Sequence, residues 1–312
     1  MDHLPSTFYD EVTGCLGDAS LYDHLPSFLS QTECRVWRYI ANQHRLQRTP
    51  FSAVISNLYQ YEMEKEKLIV ESFQRFHKFD PRYKRVRAIV HKIPQFDNKV
   101  LPYSVILHHM RYVMPYFVNI GPQFSKLDLL LPKKHVSEIL DLILEFDCEF
   151  GVIRIPYVGK NSLEIIRRQV RRGIIRKLEI DREPHNWPEE VMPLIVNLLN
   201  QTQLQTLHLP NFPHLAIGFI AIFSAINRWI ENPEAMNAFT ILAPVSFPLQ
   251  NLETCLKMEP GSRDVDICKL ARRHKKKHFY AMAQWRRGYL ALTFDNILDH
   301  NYYFAETEEY MF

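Results

Sequence analysis

The sequence predicts an α/β fold, an irregular leucine-rich-repeat-like solenoid preceded by a small N-terminal α-helical segment. Three observations carry this reading. A six-residue phrase, apolar-x-x-apolar-x-apolar, occurs at Phe124-x-x-Leu127-x-Leu129, Phe150-x-x-Ile153-x-Ile155, Ile175-x-x-Leu178-x-Ile180, Leu204-x-x-Leu207-x-Leu209 and Met236-x-x-Phe239-x-Ile241. Its fourth positions, 127, 153, 178, 207 and 239, are separated by steps of 26, 25, 29 and 32 residues, at or just beyond the range of leucine-rich repeats. Each phrase is followed by apolar residues at helical spacing or by a long connection. One such unit cannot bury its own apolar strand face, whereas stacked units share a core.

Residues 1–48 read as helical. Leu4-Pro5 opens a segment in which Phe8, Val12 and Cys15 or Leu16 share a face, and a second helix runs from Ser30-Gln31-Thr32-Glu33 through Val36, Trp37, Ile40 and Ala41. Thr49-Pro50 breaks that pattern. Residues 49–123 form a linking region, mixed and charged, in which 83–117 can be a degenerate first repeat with Val86-x-x-Ile89 as strand and a helix around Tyr103 to Tyr112.

The repeat units occupy 124–256. After the Leu127 strand, Val136, Ile139, Leu140, Ile143 and Leu144 lie on one helix face. After the Ile153 strand, Asn161 is the expected N-cap with Glu164 three residues on, Leu163, Ile166 and Val170 form the stripe, and Gly173 stands where a C-cap glycine belongs. Trp187-Pro188-Glu189-Glu190 starts the next helix, with Val191, Leu194, Ile195, Leu198 and Leu199 inward. The run from Leu215 to Trp229-Ile230 predicts the most buried helix. Residues 257–312 form a C-terminal capping region in which Leu290-x-Leu292-x-Phe294 is one last strand closing the stack. The turn positions that a leucine-rich repeat fills with asparagine or cysteine hold Pro132, Val158, Glu183, Phe212 and Pro244, so uneven turns are expected.

Composition narrows the function classes. With 38 lysines and arginines against 35 acids the net charge is +3, too small for a field that would drive general nucleic-acid binding. Five scattered cysteines without a C-x-x-C pair predict a reduced chain, cytoplasmic or nuclear. The longest apolar run, Leu215 to Ile226, is 12 residues, too short to cross a bilayer, so no membrane partner is expected. No phosphate loop, dinucleotide fingerprint, nucleophile elbow or H-E-x-x-H is present, and nine glycines leave little material for such loops; neither catalysis nor a cofactor is expected.

The opening Met1-Asp2-x-Leu4-Pro5-x-x-Phe8, the strand-helix units, Ile175-x-x-Leu178-x-Ile180 leading to Trp187-Pro188, and Trp229-Ile230-Glu231-Asn232-Pro233-Glu234 resemble the large, lineage-expanded nematode group of F-box and F-box-associated proteins. The resemblance implies an F-box-like segment over 1–48 that docks a Skp1-type adaptor of a cullin ubiquitin ligase, with Leu4-Pro5 and Trp37 at its leucine-proline start and its tryptophan. Phe8 and Val12, on the same helix face as the start, complete the adaptor set. The repeat region would then select a protein substrate, and the alternatives are a stand-alone scaffold of the same fold and, third, a nucleic-acid-binding protein.

Strand alternation locates the candidate partner face. With positions four and six of each phrase inward, the residue between them points outward, giving Asp128, Arg154, Glu179, His208 and Thr240, with Lys126, Lys177 and Asp181 adjacent. Arg272, Arg273, Lys275, Lys276 and Lys277 make a dense basic patch, which on an exposed helix serves nuclear import or phosphate binding and otherwise is a solvated face. His274 and His278 stand four apart, but the surrounding cations oppose a metal ion, and no metal site is expected. Phe73, Phe76, Phe79 and Tyr83, interleaved with Arg75, His77, Lys78, Arg82 and Lys84, have the composition of a single-strand binding surface, and equally of a helix core face. Arg167, Arg168, Arg171, Arg172 and Arg176 read as a water-facing polar side.

Overall fold

The computed structural model describes residues 35–47, 49–56, 61–65, 68–71, 76, 78, 80, 84–92, 102–117, 125–129, 133–180, 187–234, 239–256, 259–263, 268–274, 279–286 and 288–295. The chain is mixed α/β and divides into two compact units, Met1–Ile153 with Val158–Ile165, and Arg154–Tyr157 with Ile166–Phe312. Leu4, Pro5, Phe8, Val12 and Asp181 lie outside the described residues, as do Lys275, Lys276 and Lys277.

The first unit opens with α1 (Arg35–Gln47), which buries Ala41 and His44 and leaves Val36, Tyr39 and Leu46 exposed. Of the expected face, Ala41 is buried and Trp37 and Ile40 are half-buried, while Val36 is exposed. Strands β1 (Thr49–Ser56), β2 (Tyr61–Lys65), β3 (Leu68–Glu71) and β4 (Lys84–Lys92) follow. Then come α2 (Tyr103–Val113), β5 (Lys126–Asp128) and α3 (Lys133–Glu145). Strands β5, β4 and β1 are parallel neighbours, and β2 and β3 continue antiparallel from β1.

The register explains an oddity of the sequence. Val86 and Ile89 are three apart and should face opposite sides of a regular strand. Between them the pairing slips: Phe51 opposes Val86, but Ser52 opposes Ala88, leaving Arg87 as an extra residue. The bulge returns Val86 and Ile89 to one face, where both are fully buried and Ile89 aligns with Ala53 and Leu127. Over this sheet α2 turns Ile106, Met110 and Val113 inward, and α3 turns Val136, Ile139, Leu140 and Ile143.

The boundary between the units falls within β6 (Val152–Ile155) and again within α4 (Lys160–Arg172). Asn161 is not the N-cap, because the helix already begins at Lys160; its amide donates to Asp141 instead. Ser162 Oγ accepts the Val158 amide at 3.0 Å at the start of the helix. The C-terminus of α4 matches expectation. Gly173 has φ +66°, its amide donates to Val170 at 3.0 Å, and Ile174 donates to Gln169 at 3.4 Å. This paired closure needs a left-handed residue, which glycine adopts without a Cβ penalty.

The second unit continues with β7 (Lys177–Ile180), α5 (Met192–Leu199), β8 (Thr206–His208), α6 (Phe219–Glu231), β9 (Phe239–Pro244), α7 (Gln250–Leu256) and the strands β10 (Glu259–Arg263), β11 (Cys268–Arg273), β12 (Tyr280–Arg286) and β13 (Tyr289–Asp295). Here β7, β8 and β9 are parallel, and β13, β12, β11 and β10 follow in antiparallel order. Leu178, Leu207, Ile241 and Leu292 form one row across the strands and all are fully buried. β13 was expected to end the stack. It instead bridges the parallel strands to an antiparallel meander, with all seven of its residues buried.

Helix α6 is amphipathic rather than wholly buried: Ala221, Ile222, Ala225, Ile226 and Trp229 are inside, while Ile220 is 85% and Phe223 39% exposed. Trp229 stacks on Phe294 with ring centres 5.2 Å apart. Arg228 reaches back to the end of α5, donating to the carbonyls of Leu199 and Gln201, the latter at 2.9 Å. Burial lowers the guanidinium pKa from its ordinary value.

Candidate partner-binding face

Alternation along β7 and β8 places polar side chains opposite the buried row. Leu178 is buried between Lys177 and Glu179, and Leu207 between Thr206 and His208. The parallel register then sets Glu179 beside His208. Arg154, from the part of β6 in this unit, completes a cluster centred on the Glu179 carboxylate. Arg154 Nε lies 3.2 Å from Oε1, His208 Nδ1 3.7 Å from the same oxygen, and Lys177 Nζ 3.9 Å from Oε2. Arg154 Nε is poorly aligned for a hydrogen bond despite its distance, so that contact is an ion pair first.

The His208 imidazole above all, against the opposing effect of burial and aided by Arg154 and Lys177, holds the Glu179 carboxyl below its ordinary pKa. The Glu179 and His208 side chains are 17% and 16% exposed, Arg154 36% and Lys177 46%, so the carboxylate is sunk while the cations reach solvent. Such a surface offers oriented charge and hydrogen-bond donors.

The structure thus joins four of the expected outward residues, Arg154, Lys177, Glu179 and His208. Thr240 is placed outward too, but its hydroxyl is 3.4 Å from that of Thr293. In the next row His208 is opposite Leu242 and Leu242 opposite Ala291. Leu242, Ala291 and Tyr289 form a buried apolar cluster, so the row of His208 does not run on as a polar surface past β8. Lys126 and Asp128, in the first unit, pair with each other at 2.8 Å.

The basic patch is not helical where it is described: Arg272 and Arg273 end β11, with Arg273 opposite Tyr280 of β12, and the His274 amide donates to Phe279 at 2.8 Å. His278 lies outside the described residues. Of the mixture of rings and cations, Phe73, Arg75, His77, Phe79, Arg82 and Tyr83 lie outside the described residues, Lys78 is exposed, and Phe76 and Lys84 are buried. Phe76 is fully buried, edge-on to Phe51, Tyr112 and Tyr116, and the buried Lys84 ammonium sits 4.6, 5.6 and 5.3 Å from the rings of Phe76, Tyr112 and Tyr116. These residues hold a cation–π contact inside the first unit, and neither Phe76 nor Lys84 is presented for stacking on a base.

Sequence reasoning missed a groove of about 570 Å³ between α6 and α7, lined by Phe219, Phe223, Asn227, Ile230, Asn251, Thr254 and Cys255. The exposed apolar positions of α6 could have signalled it, had the run not been taken for a core helix. Among the described residues no group of three or more His, Cys, Asp or Glu could hold a metal ion, and no helix is long and apolar enough to cross a membrane.

No protein-family model matches the chain, and no curated protein or solved structure matches it.

Proposed function

We propose that this chain is a protein–protein interaction module, a substrate-recognition subunit of a cullin-type ubiquitin ligase, and that it holds its substrate on the strand face around Glu179. The observation that carries the binding face is the Arg154–Lys177–Glu179–His208 cluster: two cations and an imidazole, drawn with the carboxylate from three strands and oriented about that one half-buried group. Fixed charges of both signs select a partner by orientation, since a wrongly matched surface meets like charge.

The adaptor role belongs to the segment carrying Leu4, Pro5, Phe8, Val12 and Trp37, and it rests on the resemblance of those residues to an F-box. Of the five, Trp37 is among the described residues, half-buried on α1. Co-purification of the full-length chain with a Skp1-type adaptor tests this role. Retention at micromolar concentration supports the ligase subunit; loss of the adaptor leaves the stand-alone scaffold, for which the same strand face serves.

A further inference from the structure

We infer that the groove between α6 and α7 holds an extended, uncharged segment of a protein partner, gripping its main chain with the carboxamides of Asn227 and Asn251 and seating one of its apolar side chains against Phe219 and Phe223. No charged residue lines the groove: α6 supplies Phe219, Phe223, Asn227 and Ile230, and α7 faces them with Asn251 and Thr254. A charged ligand would lose its hydration there without gaining a counter-charge. The α6 residues stand four, four and three apart, so they share one ridge of the helix and make a continuous wall. From Phe219 to Ile230 the helix rises about 16 Å, the span of about five residues of extended chain.

The two asparagines decide the conformation of the occupant. Both are half-buried, and among the described residues neither carboxamide makes a hydrogen bond. The Thr254 hydroxyl, by contrast, is already engaged, donating to the Gln250 carbonyl at 2.9 Å. Each carboxamide carries both a donor and an acceptor, the complement of the C=O and N–H of a peptide unit. A helical segment spends those groups on itself and would leave both asparagines unanswered, whereas an extended one presents them.

The apolar wall is fixed from behind. Phe223 is 39% exposed, and Ile220 beside it on the same helix is more exposed still. The Phe219 ring centre lies 5.7 Å from that of Phe223 and, edge-on, 5.2 Å from that of the buried Phe247, which in turn is 5.9 Å from Trp285. Rings stacked back onto the core in this way keep their positions, so an arriving side chain meets a preformed surface and little ordering cost. These elements carry none of the residues around Glu179, and the two surfaces can be tested independently.

The test uses the full-length protein and labelled, capped, uncharged peptides with a single leucine, methionine or phenylalanine at the centre, followed by fluorescence anisotropy. Wild type should bind at least one of them, with little change across a salt series, because no charge pair is formed. N-methylation of the peptide bonds flanking the central residue should weaken binding about tenfold, and Asn227→Ala/Asn251→Ala should weaken the unmethylated peptide by a similar factor while losing the discrimination. Alanine is the better helix former and neither carboxamide holds a neighbour, so this variant should melt no lower than wild type. Phe223→Ser provides a second variant, on the apolar wall, and should weaken methylated and unmethylated peptides alike. Absence of binding by wild type, unchanged affinity in both folded variants, equal affinity for the N-methylated peptide, tighter binding of a helical peptide, or self-association of the chain that both variants abolish would each overturn the proposal.

Discussion

Glu179 gathers three positive or protonatable groups around one carboxylate, and its titration is accordingly linked to folding. Its pKa is depressed in the folded chain, so the unfolded chain binds the proton first as pH falls. The stabilisation is present above the ordinary carboxylate value and is lost as pH drops through the folded one. Glu179→Gln should lower stability at pH 7 by about 1 kcal/mol or less, and the gap from wild type should close on acidification below about pH 4. Urea unfolding of both proteins at the two pH values checks this; a gap that widened in acid would contradict the cluster. At the same scale, Gly173→Ala should destabilise by about 1 kcal/mol. The new Cβ would meet nothing closer than Gln203 Nε2 at 3.8 Å, so backbone conformation at φ +66° accounts for the loss. A Gly173→Asn variant, which tolerates the left-handed region better, should recover part of it.

Elements are held by contacts that cross between them, and two can be measured. Arg228 of α6 donates to the last carbonyl of α5, Leu199, and to that of Gln201 just beyond it, where the helix leaves carbonyls without an intrahelical partner. Truncation to alanine should cost about 1–3 kcal/mol in thermal or denaturant unfolding, with lysine, lacking the fork, recovering only part. The row Leu178–Leu207–Ile241–Leu292 joins four strands of the second unit without exposure to solvent. Replacing Leu178 or Leu207 with aspartate buries an unpaired charge and should cost several kcal/mol, unfolding that unit. A Leu207→Asp protein melting within about a degree or two of wild type would refute the register.

For the molecule as a whole, the prediction is about capture. Arg154→Ala/Glu179→Ala removes both halves of one ion pair, leaving neither charge stranded beside the other, so the protein should fold while retaining less of whatever partner the wild type draws from a proteomic screen. Equal capture by the folded double variant would move the site off the strand face. Adaptor retention, measured in the same preparations, tests the N-terminal segment separately.

Residue order alone determined the strand positions of the repeated phrases, the inward row through Leu178 and Leu207, the outward Arg154, Glu179 and His208, and the left-handed glycine at 173. These follow from local rules: two-residue alternation in strands, helical spacing, and the steric cost of a Cβ at positive φ. Tertiary structure decided what local rules cannot reach. A bulge at Arg87, visible only through pairing with β1, sets the face of Val86. Whether Lys84 is a surface cation or a buried one depends on rings that arrive from Tyr112 and Tyr116. β13 became a bridge because β9 and β12 pair with its two edges, and the row of His208 stops being polar at Leu242 for the same reason, burial by partners distant in sequence. Alternation says which side a residue faces; only the packed neighbours decide whether that side is wet.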